Sequence, residues 1–191
     1  MAAPTIVVIG WDAADWNIMR PLIDQGMMPS LKSLIDRGVS GNLTSLTPML
    51  SPLLWNSIAT GHYGDRHGIL GFVEPRADGS GLKAVSSTSR KCKAIWNMLD
   101  EHGMRSNIIN WFASHPAEQI NGVFVSNLLH PAEQLTSAYA PIPHASVYPQ
   151  ELAPILGKMR VSIDEILPTD LQPFLPKTKE LDATKHPLIH T

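Results

Sequence analysis

The sequence predicts an α/β fold in which a layered, mostly parallel sheet carries helices on both faces. Short apolar runs alternate along the chain with stretches whose apolar residues follow helical spacing. The first run, residues 5–10, is apolar without alternation, which is typical of a strand buried on both faces of a parallel sheet. Hydrophobic residues make up 43% of the chain and charged residues 17%, so the composition is that of a globular protein.

The first part of the chain predicts two strands and three helices. The strands are expected over residues 5–10 and 39–46. Apolar residues at helical spacing lead up to Gly26 and again to Gly38, and glycine commonly ends a helix. A third helix is expected over residues 52–60, because proline fits the first turn of a helix and Gly61 follows the last.

The part that follows predicts a surface excursion and then a return to the sheet. Residues 61–89 are rich in Gly, Asp and Ser, and a hairpin is expected around residues 77–81. A helix over residues 93–102 and short strands over residues 107–111 and 122–126 follow.

Ten of the 16 prolines lie beyond residue 115, and proline at that density favours loops and short helices. We therefore divide the chain into an N-terminal α/β core portion, residues 1–127, and a Pro-rich cap or insertion segment, residues 128–191. The last residues show no closing signature, so this segment, and with it the fold, is expected to be incomplete.

Charge and cysteine content exclude several classes of protein. The formal net charge is −2 and the basic residues cluster only at residues 90–93, which argues against a nucleic-acid partner. Cys92 is the single cysteine, so no disulfide within the chain and no thiolate zinc cluster can form. Neither a signal-peptide pattern nor an apolar run long enough for a membrane helix is present, which predicts a cytoplasmic protein.

Asp12 is the first candidate for a functional residue. It follows the first predicted strand and precedes a helix, and ligands of open α/β sheets bind beyond the carboxyl ends of the strands. A carboxylate at that edge can hold a metal cation. The alternative is that Asp12 or Asp15 caps the helix, since aspartate is a preferred N-cap residue.

Ser51 is the second candidate. It stands directly before Pro52, where the free amides of a helix N-terminus favour anionic oxygens. Such a serine can act as a nucleophile if a metal or a base assists its deprotonation. The alternative is that Ser51 is an ordinary N-cap.

The remaining polar motifs predict structural roles. No histidine forms an HxH or HExxH pair, and His67 is expected to donate to a backbone carbonyl and fix the loop after the third helix. Trp55, Trp96 and Trp111 are expected in the core. The GxSxG, P-loop and GxGxxG signatures do not occur in the required places.

Four motifs gain meaning from their common order and spacing: residues 9–14 (IGWDAA), 29–38 (PSLKSLIDRG), 47–61 (TPMLSPLLWNSIATG) and 67–69 (HGI). Together they resemble the type I phosphodiesterase / nucleotide pyrophosphatase group of the alkaline phosphatase superfamily. The resemblance is specific over about residues 6–72 and weaker up to residue 126. It implies an alkaline-phosphatase-like fold, with Asp12 as a metal ligand and Ser51 as nucleophile and metal ligand.

The resemblance also implies two divalent metal ions, with zinc expected and manganese as the alternative, and a small phospho- or sulfo-ester substrate. Leu54 departs from the group's pattern, because nucleotide pyrophosphatases carry a phosphate-binding Asn there. The group's later metal ligands are also absent, and no Asp-His dipeptide occurs in the chain. We therefore expect the N-terminal fragment of a phosphate-ester hydrolase, inactive by itself.

Two other hypotheses remain. One is a catalytically degenerate α/β binding or scaffold protein, complete at 191 residues, which is motivated by the same missing ligands and ranks second. The other is a nucleotide-binding α/β protein in which Asp12 merely caps a helix. It ranks last, because no glycine-rich phosphate loop follows the first predicted strand.

Overall fold

A computed structural model describes residues 5–129, 142–161 and 165–171. The chain divides into two compact units, Met1–Thr47 and Pro48–Thr191. Helices and small sheets are mixed, as the sequence predicts. The helices are α1 (Trp16–Asp24), α2 (Pro29–Arg37), α3 (Ser51–Thr60), α4 (Gly64–His67), α5 (Ile95–Glu101), α6 (Ala153–Met159) and α7 (Pro168–Leu171), with 3₁₀ turns at Ser87–Ser89 and Gln150–Leu152.

The first unit contains the helices α1 and α2. Asp15 caps α1, because its carboxylate accepts a hydrogen bond of 2.7 Å from the backbone amide of Asn17. The Trp16 indole donates to the carbonyl oxygen of Gly41 at 3.2 Å, which ties the start of α1 to a later segment of the same unit. Both helices lie in the regions where the sequence predicts helices that end near Gly26 and Gly38.

The strands predicted over residues 5–10 and 39–46 are not formed. Ile6 and Ile9 are 84% and 73% exposed, and Val39 is fully exposed. A β-branched run becomes a strand only when a second strand supplies hydrogen-bond partners. Among the described residues, no strand pairs with either segment.

The second unit holds both sheets. The strands are β1 (Val73–Pro75), β2 (Leu82–Ala84), β3 (Ser106–Trp111), β4 (Gly122–Ser126) and β5 (Val147–Tyr148). β1 and β2 form the predicted hairpin. The larger sheet has the order β3-β4-β5, in which β3 and β4 are parallel and β5 is antiparallel to β4. Of the layered, mostly parallel sheet that the sequence predicts, the described part of the chain contains one parallel pair of strands, β3 and β4.

The core of the second unit packs around Trp96 and Phe124, both fully buried. Their rings meet edge to face at 5.5 Å, and Trp111 meets Trp96 in the same way at 5.8 Å. Trp55 is half-buried and lies edge-on to Trp111 at 5.3 Å. The three tryptophans predicted to lie in the core therefore pack in one aromatic chain.

A buried ion pair adjoins this core. The Arg90 side chain is 4% exposed, pairs with Glu118, and stacks over the Trp96 ring with 5.0 Å to the ring centre. Glu118 also accepts hydrogen bonds from the Trp96 indole at 3.1 Å and from the Asn97 amide at 2.8 Å. Arg90, the first residue of the basic cluster at residues 90–93, therefore has its side chain in the interior.

Beyond residue 127, the described residues contribute β5, α6, α7 and one 3₁₀ turn, in keeping with the short elements expected of the Pro-rich segment. β5 pairs with β4, so this segment also adds a strand to the sheet of the second unit. The domain boundary at residue 127 stays a prediction.

Gly122, the first residue of β4, pairs with Ser106, the first residue of β3. It provides a test of how closely the two strands approach each other. A Cβ atom on Gly122, whose φ is +150°, would lie 1.8 Å from the carbonyl oxygen of Ser106. We expect Gly122→Ala to lower the free energy of unfolding by about 3 kcal/mol or more, through overpacking and backbone strain. Chemical denaturation would measure this loss.

Gly79→Ala is the matched control. Gly79 also has a positive φ, +73°, but its Cβ would meet nothing within 4 Å. Backbone strain alone should cost about 1 kcal/mol there. Equal losses in the two variants would contradict the close approach at Gly122.

Candidate active site

Ser51 is the first residue of α3 and does not cap it. The N-cap is Leu50, whose extended backbone makes no side-chain capping bond, and Pro52 follows Ser51 in the first turn. The capping explanation for Ser51 is therefore wrong. Its half-buried side chain stands at the end of the helix where backbone amides lack helical partners.

Asp12 is likewise not a cap, because Asp15 takes that role in α1. Asp12 is exposed and lies in a turn whose next residue, Ala13, has a left-handed φ of 54°. Asp12 belongs to the first unit and Ser51 to the second. Their joint role as metal ligands and their share in catalysis stay predictions.

Two side chains fasten α3 to the end of β3. The buried Asn56 amide donates to the carbonyl oxygen of Pro52 at 2.8 Å and to that of Phe112, directly after β3, at 3.5 Å. The Trp111 indole donates to the carbonyl oxygen of Trp55 at 3.0 Å. The helix that carries Ser51 is thus attached at the carboxyl edge of a parallel strand pair, where α/β proteins bind ligands.

His67 holds the loop after α3, as predicted, but through other partners. Its Nδ1 accepts a hydrogen bond of 3.2 Å from the backbone amide of Ile69. The proton therefore resides on Nε2, which lies 3.0 Å from the Ser57 hydroxyl, and that hydroxyl donates to the carbonyl oxygen of Leu53. Because Nε2 is protonated, the imidazole supports the loop and does not act as a base for Ser57.

The charge state of His67 follows from its surroundings. The imidazole is fully buried, and its desolvation lowers the pKa below the usual 6.5. Asp65 opposes this shift, whereas Arg90 and His62 reinforce it. The neutral form is thus favoured, in agreement with the hydrogen bonds that the ring makes.

A polar cluster at the ends of β3 and β4 is not anticipated by the sequence analysis. The Ser114 hydroxyl and backbone amide both donate to the side-chain oxygen of Asn127, and the backbone amide of Asn127 donates to the Ser114 hydroxyl. His115 Nδ1 lies 3.3 Å from the Ser126 hydroxyl. Burial, and then the nearby His144, lowers the pKa of His115. The available signal was that polar residues lie at or within a few residues of the ends of two predicted strands, Ser114-His115 near the first and Ser126-Asn127 at the second.

The described ranges contain no group of three or more His, Cys, Asp or Glu side chains that could hold a metal ion. Asp12 and Ser51 by themselves would give two ions too few ligands. In the same ranges, no helix is long and apolar enough to cross a membrane.

Comparison with known proteins gives a match at the level of the family. The family model described as Type I phosphodiesterase / nucleotide pyrophosphatase matches residues 6–171, which is most of the chain. No curated protein matches the chain, and no solved structure matches it.

The neutral, buried His67 predicts how stability depends on pH. Below about pH 6.5 the unfolded chain binds a proton at this position that the folded chain does not, because the folded pKa is lowered. The stability contributed by the neutral ring is therefore present above that pH and declines as the pH falls toward the folded pKa. Denaturation midpoints across this range would show the decline.

His67→Asn removes the titration while Asn Oδ1 can still accept from the amide of Ile69. We expect a less stable variant whose stability changes less steeply with acidification than that of the wild type. An unchanged slope in the variant would show that another group causes the decline.

Proposed function

Because the chain belongs to the type I phosphodiesterase / nucleotide pyrophosphatase family, we propose that Ser51 is the nucleophile of a metal-dependent hydrolase acting on small phosphate esters. This family is part of the alkaline phosphatase superfamily and comprises phosphodiester and pyrophosphate hydrolases. The observation that carries the proposal is the place of Ser51 at the first position of α3, where it does not serve as the cap.

The surroundings of Ser51 suit a phosphoryl transfer. The Ser51 hydroxyl oxygen would form a bond to phosphorus and give up its proton to solvent, while the bond from phosphorus to the ester oxygen breaks and that oxygen takes a proton from solvent and leaves as an alcohol. Amides of the first turn of α3 and the positive end of its dipole favour the anionic oxygens of the transferring group. Water would then cleave the serine ester, releasing phosphate from a monoester or a phosphomonoester from a diester and restoring the Ser51 hydroxyl.

Asp12 is proposed as a ligand of the divalent metal that assists Ser51, with zinc first and manganese second. When bound, such ions lower the pKa of a coordinated hydroxyl and offset the charge that develops on phosphorus. Since Asp12 and Ser51 are too few ligands, the other ligands would come from outside the described residues. By itself the present chain is proposed to be inactive.

The substrate is proposed to be a small phospho- or sulfo-ester bound differently from a nucleotide. Leu54 is half-buried on α3 and offers no hydrogen-bond donor where nucleotide pyrophosphatases have an amide. An apolar side chain there favours a substrate whose phosphoryl oxygens are held by backbone amides and metal.

A catalytically degenerate binding or scaffold protein is the second candidate. It is favoured by the absence of a metal-binding group in the described ranges. A zinc titration of the protein that carries this chain, with the ligands that lie outside the described residues, separates the two when it is read out by calorimetry. Stoichiometric binding that Asp12→Ala weakens supports the hydrolase, and no binding supports the scaffold.

Ser51→Ala is the direct test of the proposed function. We expect turnover of aryl phosphodiesters, phosphomonoesters or sulfates, measured with zinc or manganese on the protein that carries this chain, to fall about 10³-fold or more, since no other group replaces the attacking oxygen.

Ser57→Ala is the matched control on the same helix. It removes a hydroxyl that donates within α3 and accepts from the buried His67 ring, so the free energy of unfolding should fall by about 1–3 kcal/mol while turnover stays near the wild-type value. Full turnover in Ser51→Ala would refute the assignment of the nucleophile.

A further inference from the structure

We propose that Asn56 is a positioning residue for Ser51, because its side-chain amide holds the first turn of α3 against the end of β3. This inference rests on the proposed role of Ser51 as the nucleophile. Asn56 is not expected to touch the substrate. It acts through the backbone of Pro52, the residue that follows Ser51.

The geometry identifies Asn56 as a double donor. The residue is completely buried, and its Nδ2 lies 2.8 Å from the Pro52 carbonyl oxygen and 3.5 Å from that of Phe112. Its Oδ1 is also buried and has no hydrogen-bond partner among the described residues. The amide is therefore oriented by its donor group, and exchanging the two atoms would set two oxygens 2.8 Å apart.

A tether at the first turn of α3 adds to the contacts of a helix start that has no side-chain cap at Leu50. Leu50 makes no side-chain capping bond, and Pro52 has no amide proton to donate. The amide of Leu54 donates to the carbonyl oxygen of Leu50 at 3.0 Å. Asn56 adds a link that reaches the residue next to the proposed nucleophile.

The second tether acts elsewhere on the helix. The Trp111 indole donates to the carbonyl oxygen of Trp55, one turn further along α3, and holds the body of the helix. Loss of this bond should loosen docking without displacing Ser51 specifically. Trp111→Phe is therefore a control that removes the indole donor and part of the aromatic packing while leaving both hydrogen bonds of Asn56 in place.

Asn56→Asp separates positioning from a general structural role. A protonated carboxyl can still donate one hydrogen bond, whereas an ionised carboxylate donates none and faces two carbonyl oxygens. Burial and these oxygens raise the pKa of such a carboxyl. The variant should therefore position Ser51 at acidic pH and lose that ability as the carboxyl ionises.

The experiment compares kcat and KM of Asn56→Asp, Asn56→Ala, Trp111→Phe and wild type from about pH 5 to about pH 9, on the protein that carries this chain. For Asn56→Asp we expect kcat relative to wild type to fall about 10- to 100-fold with rising pH while KM changes little. Asn56→Ala should be low throughout, and Trp111→Phe should follow the wild-type profile.

Hydrogen exchange gives a readout that does not depend on activity. Amides in the first turn of α3 should exchange faster in Asn56→Asp at alkaline pH than at acidic pH, relative to wild type, while amides of β4 stay equally protected. If Asn56→Ala does not fold, the acidic form of Asn56→Asp serves as the folded reference.

The outcomes separate the two proposals. A wild-type pH profile and unchanged exchange in Asn56→Asp would overturn the role of Asn56, even if Ser51→Ala abolishes turnover. Full turnover in Ser51→Ala would instead overturn the proposed function, and with it the positioning of a nucleophile by Asn56. Faster exchange in the first turn would then show a tether of purely structural value.

Discussion

The docking of α3 at the end of β3 joins the helix that carries Ser51 to the aromatic core of the second unit. Trp111 takes part in it twice, since its indole donates to the backbone of α3 and its ring packs edge-on against Trp96 in the core. Helix, strand and core therefore share one side chain. Because these hydrogen bonds to α3 are partly buried, they fix the orientation of the helix on the end of β3.

Two buried polar groups stabilise the segments on either side of this contact. His67 holds the loop after α3 in its neutral form, and Arg90 with Glu118 joins the segment before α5 to the loop before β4. Burying each group carries an electrostatic cost that its hydrogen bonds and ion pair reduce. The consequence is that the surroundings of α3 are specified by polar contacts as much as by apolar packing.

Much of the local structure could be predicted from the sequence, and the pairing of strands could not. The helices begin and end close to the prolines and glycines from which their ends were predicted, because those residues act through their own backbone geometry. The residues 5–10 have the composition of a buried strand, yet a strand also needs a hydrogen-bonded neighbour. For the candidate site, the sequence proposed Ser51 and Asp12 but overlooked Asn56, which on a helix looks like any other polar residue.

The sequence by itself determined the family, through motifs that keep their order and spacing, and the start of α3 at Ser51-Pro52, through the conformational limits of proline. Only the tertiary structure decided which aspartate caps α1, which atoms His67 engages, and that Arg90 is an interior residue. The physical reason is that these properties depend on groups distant in the chain. Burial and hydrogen-bond geometry arise when such groups meet, and they set the charge state and orientation of each side chain.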